Sequence, residues 1–125
     1  MMSTRFFLAC AGLSGAASIG TDAVARHLLA GNAYRFELAA TSARYGLIHA
    51  AALIGLALLW QRNEGGFWLR LSGALFLAGL ILFCGTLDLM AYGAPAGIAL
   101  IAPWGGTALI AGWLALLLAA LLPRR

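Results

Sequence analysis

Residues 68–90 read WLRLSGALFLAGLILFCGTLDLM, and their charges, Arg70 and Asp88, stand near the two ends. Residues 71–87 carry none. At 1.5 Å rise per residue this stretch forms a helix of about 34 Å, enough to cross a bilayer core roughly 30 Å thick. Leu, Ile, Phe and Ala occur on every side of it, so no polar face is left for water. Such a segment is buried in a large core or in lipid. A chain of 125 residues has no core large enough to surround it,.

Working outward, three more stretches meet the same test: 5–25 (RFFLACAGLSGAASIGTDAVA), 43–60 (ARYGLIHAAALIGLALLW) and 104–122 (WGGTALIAGWLALLLAALL). Four spans use most of the chain and leave one domain over residues 1–125. The composition agrees. Hydrophobic residues make up 63% and charged residues 10%, against roughly 45–50% and 25% in soluble domains. Twelve charges, eight basic and four acidic, cannot clothe a soluble surface, which excludes a soluble monomer. The pI is near 9.8, but the arginines are spread singly between apolar runs rather than clustered, so no nucleic-acid face is expected,. The fold class expected is all-α, a four-helix transmembrane bundle.

The connections carry their own signals. Residues 61–66 (QRNEGG) form a short polar turn, making the second and third spans antiparallel neighbours,. Gly31-Asn32 marks a turn, and the semi-polar run that follows reads as a short interfacial helix or as a projecting start of the second span capped by Asn32,. Residues 91–102 are uncharged and fit a shallow path along the membrane surface. Pro103 then suits the first turn of the fourth helix,. Arg5, Arg62, Arg70, Arg124 and Arg125 fall on one side and Arg26, Arg35 and Arg44 on the other, which favours cytoplasmic termini in an inner membrane,. Arg5-FFLACAGLSGAAS has the form of a signal peptide, but the apolar stretch runs past the candidate cleavage site and is read as a span,. Cys10 and Cys84 are expected near opposite membrane faces and unpaired,.

Helix association in lipid depends on close packing and polar contacts, so small residues at regular spacing mark interfaces. Gly12, Ala16 and Gly20 form such a stripe on the first span. Ser72, Gly79 and Thr86 form one on the third, and Thr107, Ala111, Ala115 and Ala119 one on the fourth. These stripes serve a tight bundle, a homo-oligomer or a partner subunit.

The costly residues gather at one end. Asp22, Arg26 and His27 close the first span, and Arg44, Tyr45 and His49 open the second. Asp88 closes the third, and Gly105 and Gly106 open the fourth. Intramembrane charges usually face a bundle interior and pair, which sets Asp22 and Asp88 against Arg26 and Arg44. Four readings follow. The cluster is a self-satisfied polar core; or it holds a quinone or lipid head group through Arg44, Tyr45 and His49 with free amides at Gly105 and Gly106; or it handles protons or ions through Asp22, His49 and Asp88; or His27 and His49 ligate a metal or haem. The last is geometrically awkward, because His27 sits near the interface and His49 about 7.5 Å deeper than Arg44. With no nucleophile triad, zinc set or phosphate loop, the expectation is a non-enzymatic binding or accessory protein without cofactor or metal. A homo-oligomeric transporter or channel is the alternative.

Residues 41–53, TSARYGLIHAAAL, resemble the Thr-x-x-x-Tyr-x-x-x-His-Ala-x-x-Leu signature of the membrane family called domain of unknown function 423, whose animal members are known as transmembrane protein 256. LFCGTLDL (82–89) and APWGGTALIAGWLAL (102–116) resemble two further segments of that family, in order across nearly the whole chain. Tyr45, His49, Gly85, Pro103, Gly105, Gly106, Gly112 and Trp113 fall on its pattern, as does His27. Asp22, Ala25 and Arg26 replace two glycines and an alanine of the pattern, and Asp88 replaces its tyrosine. The resemblance implies a small four-span membrane protein and supplies no activity, cofactor or substrate.

Overall fold

The computed structural model describes residues 4–62 and 66–123. Asn63, Glu64 and Gly65 of the polar turn, and Arg124 and Arg125 of the arginine count, lie outside the described residues. The described chain forms α1 (Thr4–Leu28), α2 (Ala33–Gln61), α3 (Phe67–Ala91), a 3₁₀ helix (Ala96–Ile101) and α4 (Ala102–Leu121). All four α-helices are long and apolar enough to cross a membrane, α4 counted together with the 3₁₀ helix that leads into it. The protein is an all-α four-span bundle.

Two connections sharpen the sequence reading. The segment after Gly31 is no separate interfacial helix: α2 starts at Ala33, and the Asn32 side chain accepts a hydrogen bond from the Arg35 amide at 3.0 Å. This cap satisfies an N–H that the first turn would otherwise leave open. After α3 the chain turns at Gly93, whose φ of 103° suits glycine,, and the uncharged connection winds into the 3₁₀ helix. Pro103 lies in the first turn of α4, where its missing N–H costs nothing,.

Each helix packs chiefly on its neighbours in sequence: α1 on α2, α2 on α3, and α3 on α4. Between α1 and α3 the approach is slight, and among the described residues no Cα of α4 comes within 8 Å of one in α1 or α2. The bundle is therefore an open chain of helices with α1 and α4 at its flanks. Large side chains fill notches left by glycines. Phe7 lies over Gly73, Leu109 over Gly79 and Phe76 over Gly112, so an added Cβ at any of the three would collide with its neighbour. Phe7, Leu53, Leu56, Leu69, Phe76 and Leu109 share one core cluster.

The stripe on the third span behaves as read, with Ser72, Gly79 and Thr86 all buried. The stripe on the first does not. Gly12, Ala16 and Gly20 are exposed, and α1 instead buries Phe7, Ala11, Ser18 and Ala25. The reason is polar. On that face Ser14 donates to the Gly46 carbonyl at 2.9 Å, and Ser18 fills the space where a Cβ on Gly46 would stand. Hydroxyls gain more from a protein neighbour than from hydrocarbon.

Candidate functional site

The residues read as one constellation fall into three separate stations. The first joins α2 to α4. His49 is 2% exposed, and both ring nitrogens are engaged: Nδ1 lies 2.8 Å from the Tyr45 carbonyl and Nε2 3.1 Å from Trp113 Nε1. A carbonyl only accepts, so Nδ1 carries the proton, and Nε2 accepts from the indole N–H. Rings close around the imidazole. Phe76 meets it edge-on at 5.1 Å, Trp113 at 5.8 Å, and Tyr45 stacks at 6.4 Å. Tyr45 also tilts against Phe83 at 5.0 Å. This cluster bridges two helices whose backbones stay apart, which gives His49 the work of a cross-tie.

The second station lies between α1 and the start of α2. Asp22, Arg26, Glu37 and Arg44 line a groove of about 480 Å³ together with Ile19, Phe36 and Leu47. Arg26 bonds Asp22 at 3.0 Å across one helical turn, and Arg44 approaches Glu37 at 3.9 Å. The arginine side chains are more than half exposed, so these pairs are weak in energy. Arg44 does not meet Asp88. Glu37 and Arg44 are seven residues apart and share a face of α2, whereas Ser42, which faces α3, is two residues from Arg44 and about 200° away around the helix.

At the third station Asp88 stands in a groove of about 420 Å³ between α1, α2 and α3. Leu13, Ala17, Leu77, Leu80 and Ile81 supply apolar walls, and Ser14, Ser18, Ser42, Cys84 and Asp88 the polar groups. Ser42 and Cys84 clasp α2 to α3: the Ser42 hydroxyl donates to the Cys84 carbonyl at 3.3 Å, and the Cys84 thiol to the Ser42 carbonyl at 3.4 Å. The Ser42 hydroxyl also stands beside the Asp88 carboxylate. Asp88 Oδ1 is buried with no hydrogen-bond partner among the described residues. From Leu77 to Asp88 the groove follows α3 for eleven residues, or about 16 Å,.

The remaining predicted residues lie elsewhere. His27 is exposed in the last turn of α1, where a basic group complements the helix dipole,. Gly105 is buried where α4 crosses α3, and a Cβ there would strike the backbone of Leu82 and Phe83. Gly106 has ordinary room beside the Phe83 ring. Both glycines face α3 residues rather than the Asp88 groove. Cys10 and Cys84 are free, and both line the third station. Among the described residues no three His, Cys, Asp or Glu side chains converge as a metal set.

Sequence reasoning passed over Ser14, Ser18 and Ser42. Two serines one turn apart on α1, inside an apolar span, were the available signal: at that spacing they share a face. Nothing in the sequence marks Ser42, whose role depends on which turn of α3 lies opposite.

A family model described as a protein of unknown function, DUF423, matches residues 21–106. The chain belongs to that family. The match covers all three stations except Ser14, Ser18 and the neighbouring α1 residues of the third groove, Ile19 of the second and Trp113 of the first. Among curated relatives, the UPF0382 inner membrane protein YgdD of Escherichia coli K12 is 30% identical over 99% of this chain and 95% of its own length. A UPF0382 membrane protein of Haemophilus influenzae is 32% identical over 88% and 89%. The UPF0382 membrane protein YwdK of Bacillus subtilis is 26% identical over 93% and 96%. No solved structure matches the chain. Family and fold together make this a polytopic inner-membrane protein with four spans.

Proposed function

We propose that this family member is a non-enzymatic binding protein of the inner membrane, which holds one amphipathic, lipid-like molecule in the α1–α2–α3 groove. The observation that carries the reading is the groove itself. It pairs apolar walls with a short row of polar groups ending at a carboxylate whose Oδ1 has no partner among the described residues. Small-molecule sites have this make-up, mostly apolar with a few placed polar groups. The His49 cluster, with both ring nitrogens already engaged, serves as scaffold rather than as the binding group.

The exposed Gly12, Ala16 and Gly20 stripe supports an accessory role beside a partner helix, from another subunit or a second copy, because small residues let helix backbones approach closely,. The arginine distribution favours cytoplasmic termini,. A C-terminal green fluorescent protein fusion then fluoresces, and a C-terminal alkaline phosphatase fusion is inactive.

Extraction in native lipid nanodiscs followed by mass spectrometry tests the binding reading. The wild type retains one amphiphile enriched over the bulk membrane, and Ala17→Phe, which fills the groove from an exposed position, loses it. Retention of bulk lipids alone, in bulk proportions, overturns the proposal.

A further inference from the structure

We infer that the groove selects an amphiphile whose head is a protonated amine, paired with Asp88, and whose hydrocarbon chain lies along Leu77, Leu80 and Ile81. This rests on the binding reading above and adds the chemical class of the ligand.

The argument begins with the charge inventory of the groove. Among the described residues, Asp88 is the one charged residue lining it. The arginines at the same end of the bundle are committed elsewhere, Arg26 to Asp22 and Arg44 to Glu37, and neither lines it. An ionised carboxylate has two oxygens with about four acceptor sites and donates nothing. The side-chain donors lining the groove are those of Cys10, Ser14, Ser18, Ser42 and Cys84, and three of these five are engaged with backbone carbonyls. Ser14 gives its proton to the Gly46 carbonyl, and the Cys84 thiol gives its own to the Ser42 carbonyl. Ser42 has a single proton to divide between Asp88 and the Cys84 carbonyl. Among the described residues, Oδ1 is left with no partner.

Charges at membrane depth are costly and are found paired. An unpaired carboxylate beside apolar walls therefore asks for a cation with several N–H donors, which an ammonium head supplies. A phosphate or carboxylate head meets repulsion from Asp88 and no compensating base. A carbonyl head, such as that of a quinone, has only acceptors to offer to an acceptor. The walls supply the second requirement. Below Asp88 the groove continues for about 16 Å along α3 without another ionisable group except the free thiols of Cys10 and Cys84,. That length suits a hydrocarbon chain.

The same chemistry is presented by an aminophospholipid of the bilayer and by a soluble long-chain amine, and the test separates them. Purified full-length protein in an uncharged maltoside detergent is titrated with decylamine, decanol and decyl phosphate, with binding followed by equilibrium dialysis and by the thermal unfolding midpoint. Wild type binds decylamine most tightly and decyl phosphate least. Asp88→Asn weakens decylamine by about tenfold or more, as expected for loss of a charge-assisted bond, and leaves decanol nearly unchanged. Ala17→Phe abolishes all three.

Equal decylamine affinity in wild type and Asp88→Asn, or a preference for decanol or decyl phosphate, overturns the amine head while loss in Ala17→Phe still upholds the groove. If none of the probes binds to the wild type, both readings fall. In nanodiscs, displacement of decylamine by phosphatidylethanolamine but not by phosphatidylglycerol supports an amine-headed ligand that is a bilayer lipid. Displacement by neither supports a soluble amine, and displacement by phosphatidylglycerol alone overturns the proposal.

Discussion

Two polar sites built from neighbouring turns of α2 behave in opposite ways. His49 is sealed among Tyr45, Phe76 and Trp113, with a donor for one ring nitrogen and an acceptor for the other. Two turns earlier on the same face of the helix, Ser42 reaches α3 beside Asp88, in a groove that α1 leaves open and where, among the described residues, one carboxylate oxygen has no partner. The first site is complete without anything added. The second leaves an acceptor that no described residue uses. A buried polar group therefore says little about function by itself; whether its hydrogen-bonding capacity is used up by the protein says more.

Substitutions can break this contrast, beginning at the sealed site. His49→Ala removes a packed ring and strands the Trp113 N–H. It should cost about 3 kcal/mol, by analogy with large-to-small core changes, read as a lower midpoint in reversible denaturation in mixed micelles. Gly105→Ala drives a methyl against the Leu82–Phe83 backbone and should cost about 1–3 kcal/mol through overpacking, measured the same way.

Trp113→Phe keeps a ring but removes the donor to His49 Nε2. A loss of about 1 kcal/mol is expected, and a silent result would show that packing, not the hydrogen bond, ties α2 to α4. Asp88→Asn should leave stability unchanged or raise it by up to about 1 kcal/mol, because it removes an unpaired charge. A destabilisation as large as that of His49→Ala would erase the difference between the two sites. Asp22→Asn breaks an exposed pair within one helix and should change stability by only about 0.3–0.5 kcal/mol, less at high salt.

Much of the architecture was legible because hydropathy and turn chemistry are local. Residues 71–87 without a charge specify a span whatever surrounds them, and Asn32 and Pro103 mark helix starts through their own backbone chemistry,. The Asp22–Arg26 pair was legible for the same reason, being one helical turn apart. The sequence sets Asp22 and Asp88 together against Arg26 and Arg44, whereas Arg44 approaches Glu37 and leaves Asp88 outside the pairing. The partner of Arg44 is on its own helix, two turns earlier.

Of the alternatives open for the Gly12, Ala16 and Gly20 stripe, packing within the bundle is not the one α1 uses. The glycine–alanine stripe satisfies the small-residue rule, but the rule does not know that Gly46 offers Ser14 a carbonyl and Ser18 a notch. The candidate site divided along the same line. Its residues share one end of the bundle, which residue counting along each span gives, but they differ in azimuth, which depends on how each helix is rotated against its neighbours.

By itself, then, the sequence determined that this is a membrane protein of four helices, which turns separate them, and at which end its polar residues gather. Those properties follow from the length of apolar runs and from short-range backbone chemistry. Only the tertiary structure decided that His49 is closed off by Trp113 sixty-four residues away while one oxygen of Asp88 has no partner among the described residues. Hydrogen bonds between helices depend on rotation and register at ångström scale, and a shift of one residue turns a side chain by about 100°.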